Sequence, residues 1–252
     1  MRMIRLVYRL TIFVLASFVC LADFLRKRLF RQLSTSHRAA WLQSWCALGL
    51  RVLGTSVQVE GTTPRSGLIV SNHLSYLDIL VYSTVAGCAF VSKREVRSWP
   101  VFGWIATLAG TIYVDRRRPG DTHRVSTEMA AALANHHPLV LFPEGTSSDG
   151  SSVLRFHSSL FEAAVATETP ITSAYLYYEA SEGSVANDVC YWGKMSFATH
   201  ILRLFAIGHV SAHLRFAPTA QIFGDRKMAA AATHAEVVSL SDRSAATQQS
   251  SF

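Results

Sequence analysis

Residues 67–86 read GLIVSNHLSYLDILVYSTVA, and their reading decides the fold. Gly67 to Val70 is a short apolar run suited to a buried strand, and Ser75 to Ala86 continues as a helix. Between them stands a polar pair, Asn72-His73, and one carboxylate, Asp78, follows the histidine by five residues. Ser75 and Asp78 form a variant capping box, with Ser75 at the N-cap and Asp78 favoured in the first turn by the helix dipole. On one continuous helix His73 and Asp78 would point about 140° apart. If the two act together, His73 must sit in the loop before the helix and Asp78 in its first turn. A plain helix start and a catalytic histidine–acid pair are both open at this point.

Outward from this unit, strand-like and helical stretches take turns. His37 to Gly54 has helical spacing, with Gly54 as its stop, and Val57 to Gly61 alternates like a half-buried strand. Further strands are expected at Cys88–Val91, Thr111–Val114, Leu139–Phe142, Ile171–Tyr178, Val189–Trp192 and Val210–Phe216. Helices are expected at Trp99–Leu108, Thr122–Asn135, Ser158–Thr167, Phe197–Phe205 and Arg226–Leu240, with a frayed polar tail from Ser241. Tyr175, Tyr177 and Tyr178 read as strand packing. This alternation predicts an α/β fold with a mostly parallel central sheet flanked by helices. Residues 1–54 are expected to form membrane-anchoring helices, 55–220 the main domain, and 221–252 a C-terminal helix and tail.

Half of the 252 residues are hydrophobic, 16% are charged, and the net charge is +7. A greasy, basic chain suits an anionic membrane surface. It holds no zinc-finger spacing, RNP motif or continuous basic helix, so nucleic acid is not an expected partner. Leu10 to Leu25 is apolar apart from Thr11, Ser17 and Asp23, with Arg2, Arg5 and Arg9 before it and Arg26, Lys27, Arg28 and Arg31 after it. It reads as a marginal transmembrane anchor or as a helix lying in the interface. The denser downstream cluster predicts a cytoplasmic main domain. Cys20, Cys46, Cys88 and Cys190 lie far apart in apolar surroundings and read as buried thiols. The remaining histidines lack metal-ligand spacing, so no metal is expected.

Ligand chemistry in open α/β sheets collects at strand carboxyl ends. Three polar knots fall at such ends: Asn72-His73 to Asp78, Asp115-Arg116 after GTIYV, and FPEGTSSDG at 142–150 after PLVL. Asn-His followed by four residues and Asp, Gly110 to Arg116, and Phe142-Pro-Glu-Gly-Thr146 together resemble the signatures of the glycerolipid acyltransferases. FVSKREVRSWPVFGW at 90–104 resembles the family's aromatic-Val-x-Lys-x-Glu stretch, here with Lys93, Glu95, Pro100 and Gly103. The resemblance covers about residues 51–218.

It implies a membrane-bound O-acyltransferase, active on the cytoplasmic side, moving a fatty acyl group from a thioester to the free hydroxyl of a lysophospholipid such as 1-acylglycerol 3-phosphate. Acyl-CoA or acyl carrier protein would be the co-substrate, with no bound cofactor. His73, whose imidazole ordinarily titrates near pH ~6.5, would be the general base and Asp78 its acid partner. Asn72, Lys93, Arg116, Glu144, Gly145 and Thr146 would bind substrate. Arg116 suits a phosphate or carboxylate, and the Gly145-Thr146 turn could offer backbone N–H groups to an anion. Glu144 would bind the acceptor or hold the site together.

The chain departs from the family at Ser147, where Arg is usual, and at His157, where a basic residue is common. The stretches 142–161 and 190–204 resemble the branch that acylates lyso-ornithine lipids, whose acceptor carries a carboxylate. A membrane hydrolase would need its own nucleophile, and no G-x-S-x-G elbow is present. Neither G-x-G-x-x-G nor a P-loop occurs. A non-catalytic membrane-binding protein fits the composition but leaves the histidine–acid pair unexplained.

Overall fold

The computed structural model describes residues 2–30, 35–98, 102–108, 111–114, 121–134 and 137–249. Asp115 and Arg116 lie outside the described residues, as do Trp99, Pro100 and Gly110; of Lys93 and Glu95 only the backbone is described.

Leu68, Ile69 and Val70 are fully buried on both faces, which is the burial expected of a parallel strand covered on each side. They belong to β2 (Leu68–Ser71), near the middle of a seven-stranded sheet. The other strands are β1 (Thr55–Glu60), β3 (Ala89–Lys93), β4 (Ile112–Val114), β5 (Leu139–Leu141), β6 (Ile171–Ala180) and β7 (Val210–Phe216), in the spatial order β1-β7-β6-β2-β5-β3-β4. β6, β2, β5, β3 and β4 run parallel; β7 is antiparallel to β6, and β1 follows β7. The carboxyl ends of β2, β4 and β5 therefore share one edge of the sheet, the arrangement predicted from the three polar knots.

Alternation along the strands divides the core. Ile69, Val140, Ala174 and Leu176 face α1 (Arg2–Phe30), α2 (Thr35–Leu53), α3 (Leu77–Ala86) and α7 (Phe197–Ala206). Leu68, Val70, Leu139 and Ile171 face α5 (Asp121–Ala134), α6 (Glu162–Ala166) and α8 (Arg226–Gln249). α4 (Phe102–Leu108) precedes β4. The amino-terminal helices share this core: Cys20, Phe24, Trp41 and Leu50 are buried in one cluster with Ile69 and Leu77. All four cysteines are buried thiols.

Two expected elements differ. Residues 189–192 do not join the sheet; Val185–Val189 forms one wide helical turn, and Tyr191 is instead held by the loop after β2. α8 runs on to Gln249, through most of the segment expected to be frayed.

β6 outlasts its neighbour. Its pairing with β2 ends at Ser71↔Ala174, whereas β6 itself continues to Ala180 against β7. The overhang, 175–180, stands behind the loop that carries Asn72 and His73.

Candidate active site

The chain leaves β2 at Ser71 and enters α3 at Leu77, and the five intervening residues place the chemistry. His73 lies in the loop and Asp78 in the first turn of α3, so the 140° separation of a continuous helix does not apply. His73 Nδ1 lies 2.7 Å from Asp78 Oδ2. The same oxygen accepts the N–H groups of Leu74 at 2.7 Å and Ser75 at 3.1 Å, and the Tyr178 hydroxyl donates to Oδ1 at 2.7 Å. Asp78 is fully buried, while 22% of the His73 side chain is exposed. A carboxylate oxygen is an acceptor, so the contact makes Nδ1 the hydrogen-bearing nitrogen of the ring. Nε2 then has no partner among the described residues and is available as a base. The His73 ring stacks on Phe142, with centroids 4.2 Å apart and an interplanar angle of 15°.

The capping expectation is half met. Asp78 reaches back to the backbone as the acid of a capping box does, but the Ser75 hydroxyl is buried without a hydrogen-bond partner and caps nothing.

Asn72 does not meet the expectation of a substrate contact. It is 3% exposed; its amide donates to the Leu176 carbonyl at 2.8 Å, and its Oδ1 accepts the Leu176 N–H at 2.9 Å. The side chain copies a peptide group where the β2–β6 ladder stops. It thereby fastens the histidine loop to the β6 overhang.

Glu144 follows β5 and is 3% exposed. Its Oε2 accepts the His73 N–H at 3.3 Å and its Oε1 the Leu154 N–H at 2.9 Å. Burial pushes its carboxyl up to about 8, against the opposite pull of those two backbone groups. It holds two loops together, which is the second of the roles anticipated for it. Gly145 adopts φ +67°, a conformation that favours glycine, and its N–H is spent on the Phe142 carbonyl at 3.1 Å. Gly145 therefore has no N–H left for an anion. The N–H groups of Thr146 and Ser147 have no acceptor among the described residues and keep that capacity. Arg116 and the side chain of Lys93 lie outside the described residues.

Ser147, where the family usually has Arg, donates its hydroxyl to the Tyr191 carbonyl. The Tyr191 N–H in turn bonds the Leu74 carbonyl at 2.8 Å. Both peptide groups of Tyr191 are thus joined to the loops after β2 and β5, and Lys194 follows, exposed, in the turn Trp192–Met195, closed by a 3.3 Å bond. Reading the sequence missed Tyr178 and this tie. Tyr178 had a usable signal: period-two alternation puts it on the inward face with Leu176, and a buried phenol needs a partner. Nothing local marks Ser147 as a bridge to Tyr191.

Comparison with known proteins gives the family of the chain. The sequence profile of the acyltransferase family matches residues 56–177. The chain is 34% identical to a lyso-ornithine lipid O-acyltransferase of Rhodobacter capsulatus, over 76% of its own length and 72% of that protein's. The chain belongs to the acyltransferase family. A second lyso-ornithine lipid O-acyltransferase, from Pseudomonas aeruginosa, is 32% identical over 69% of this chain and 66% of that one. A 1-acyl-sn-glycerol-3-phosphate acyltransferase of Neisseria meningitidis is 28% identical over 56% and 59%. The crystal structure of the 1-acyl-sn-glycerophosphate acyltransferase of Thermotoga maritima shares the fold, with a TM-score of 0.69, 18% identity and 95% of each chain covered. The enzyme is an O-acyltransferase.

Proposed function

We propose that the enzyme transfers a fatty acyl group from a thioester to the free hydroxyl of a lysolipid, with His73 as general base. The contact between His73 Nδ1 and Asp78, which leaves Nε2 partly open and unspent, carries this reading. An alcohol is a weak nucleophile at neutral pH unless a base takes its proton during attack. Nε2 accepts that proton as the lysolipid oxygen bonds to the thioester carbonyl carbon. Asp78 stabilises the imidazolium that forms. The tetrahedral centre collapses with loss of the thiolate, and the imidazolium returns the proton to sulfur. One C–O bond forms, one C–S bond breaks, and no acyl-enzyme is required. The thiol carrier is coenzyme A or acyl carrier protein, which places the site on the cytoplasmic side.

The acceptor we propose is a lyso-ornithine lipid. Relatives bearing that name stand at 32–41% identity. Position 147 supplies a hydroxyl already committed to Tyr191 instead of a guanidinium, whose charge-assisted bond to a phosphate monoester is worth about 1.5–3 kcal/mol. The experiment is a thiol-release assay with a panel of acceptors. Release with lyso-ornithine lipid and little with 1-acylglycerol 3-phosphate supports the assignment. The reverse order replaces the acceptor while keeping the chemistry, and release without any acceptor rejects acyl transfer in favour of hydrolysis.

α1 is long and apolar enough to cross a bilayer between Arg2 and Arg26, yet one of its faces is committed to the domain. Arg9 is buried against the carbonyls of Phe205, Ile207 and Gly208, Arg5 bonds Glu182 and the Ala206 carbonyl, and Phe24 packs on Trp41 at 5.0 Å. The opposite face exposes Met3, Val7, Val14 and Phe18, together with Ile4, Tyr8, Leu15 and Val19. These spacings of three, four and seven form one apolar stripe. A helix docked along its length with such a stripe lies in the interface.

A further inference from the structure

The two oxygens of Asp78 have unequal work. Oδ2 accepts from His73, Leu74 and Ser75; Oδ1 accepts from Tyr178 at 2.7 Å. The terminal torsion of Asp is broad, and the Tyr178 phenol holds the oxygen that the other three donors leave alone. It comes from a rigid place: Tyr178 is buried, pairs with Ala212 of β7, and lies two residues beyond Leu176, which holds Asn72. The overhang of β6 therefore fixes both the histidine loop and the acid.

We propose that Tyr178 is a positioning residue for acyl transfer, whose hydroxyl orients the Asp78 carboxylate and, by sharing its negative charge, sets the basicity of His73. Burial keeps the phenol well above its ordinary range, so Tyr178 is a donor throughout the working pH. Among the described residues, the other titratable groups with an electrostatic influence on Asp78 and Tyr178 are Glu144, Tyr82 and Cys190. The idea rests on the general-base reading of His73.

The test compares the wild-type enzyme, Tyr178→Phe, and the enzyme with 3-fluorotyrosine at 178, with Glu144, Tyr82 and Cys190 present in all three. Turnover is measured from pH 5 to 9 with an acyl-CoA donor and a lysolipid acceptor. Removing the hydroxyl concentrates charge on the carboxylate, stabilises the imidazolium and moves the acid limb of kcat/KM to higher pH. It also lowers kcat by about tenfold with little change in KM, because a less firmly oriented Asp78 holds the imidazole less well in line for attack while the substrate contacts stay. Fluorotyrosine is a stronger donor and moves the limb to lower pH. Acid limbs that coincide in all three proteins overturn the proposal, whatever happens to thermal stability. If Tyr178→Phe does not fold, the fluorotyrosine protein decides alone. His73→Ala separates the two ideas: an inactive His73→Ala with coincident limbs removes only Tyr178, while an active His73→Ala removes the general-base reading itself.

Discussion

At the scale of single residues, the fold treats the two nitrogens of His73 unequally. Nδ1 is bound by a buried acid and Nε2 is left open. His73→Ala is expected to lower turnover by about 10²- to 10⁴-fold, with an unchanged circular dichroism spectrum because the ring is partly exposed. In Asp78→Asn the amide NH2 would face either the three donors of His73, Leu74 and Ser75 or the Tyr178 hydroxyl, and the charge that stabilises the imidazolium is gone, so activity should fall by up to about 10⁴-fold and the melting temperature should drop as well. Glu144 predicts a pH effect on stability. Its folded-state pKa, about 8, lies above the ordinary 4.5, so its contribution is complete below pH 4.5 and is lost as pH rises through 8. Glu144→Gln escapes this loss; the melting temperature of the variant minus that of wild type should increase steadily from pH 5 to pH 8. A constant difference would show that Glu144 does not take up its proton on folding.

At the scale of elements, the least expected feature is how α1 meets α7. A helix leaves its last carbonyls without partners, and α7 ends in the short connection to β7. Arg5 and Arg9 of α1 supply the donors, and Gly54 leaves the space: a Cβ there would collide with the Arg9 guanidinium. Arg9→Leu removes bonds to three carbonyls. It should cost about 2 kcal/mol or more and lower the melting temperature by several degrees, measured in detergent, while kcat in the surviving enzyme stays near wild type. The failure of the expected strand at 189–192 has the same character. Its alternation is adequate for a strand, but β6, the strand it follows in the chain, already has β7 on one side and β2 on the other. Its peptide groups go instead to Leu74 and Ser147.

At the scale of the whole molecule, the sheet edge that carries His73, Asp78 and Glu144 belongs to a body that also carries an exposed apolar stripe on α1. Placing two carboxylates in that stripe, as Val14→Asp with Phe18→Asp, should release the protein from sedimenting anionic vesicles into the supernatant without altering its circular dichroism. Retention on the vesicles would mean that some other surface holds the lipid. Much of this architecture was legible from sequence, because it depends on local pattern. Buried runs such as Leu68–Val70 mark doubly covered strands, and the polar knots after them mark the carboxyl edge. The five-residue spacing of His73 and Asp78 requires the loop–helix junction that is observed. What sequence could not determine is which partners buried polar groups choose. Asn72 reads as a substrate contact until the β6 overhang takes both ends of its amide. Tyr178 reads as packing until its phenol meets Asp78, one hundred positions earlier, and Ser147 shows no sign of Tyr191. Apolar periodicity is a property of neighbours along the chain, so sequence alone determined most of the elements and the placing of His73 and Asp78 across a loop–helix junction. Hydrogen bonds between groups far apart in the chain depend on where the sheet brings them, so only the tertiary structure decided what holds that pair in place.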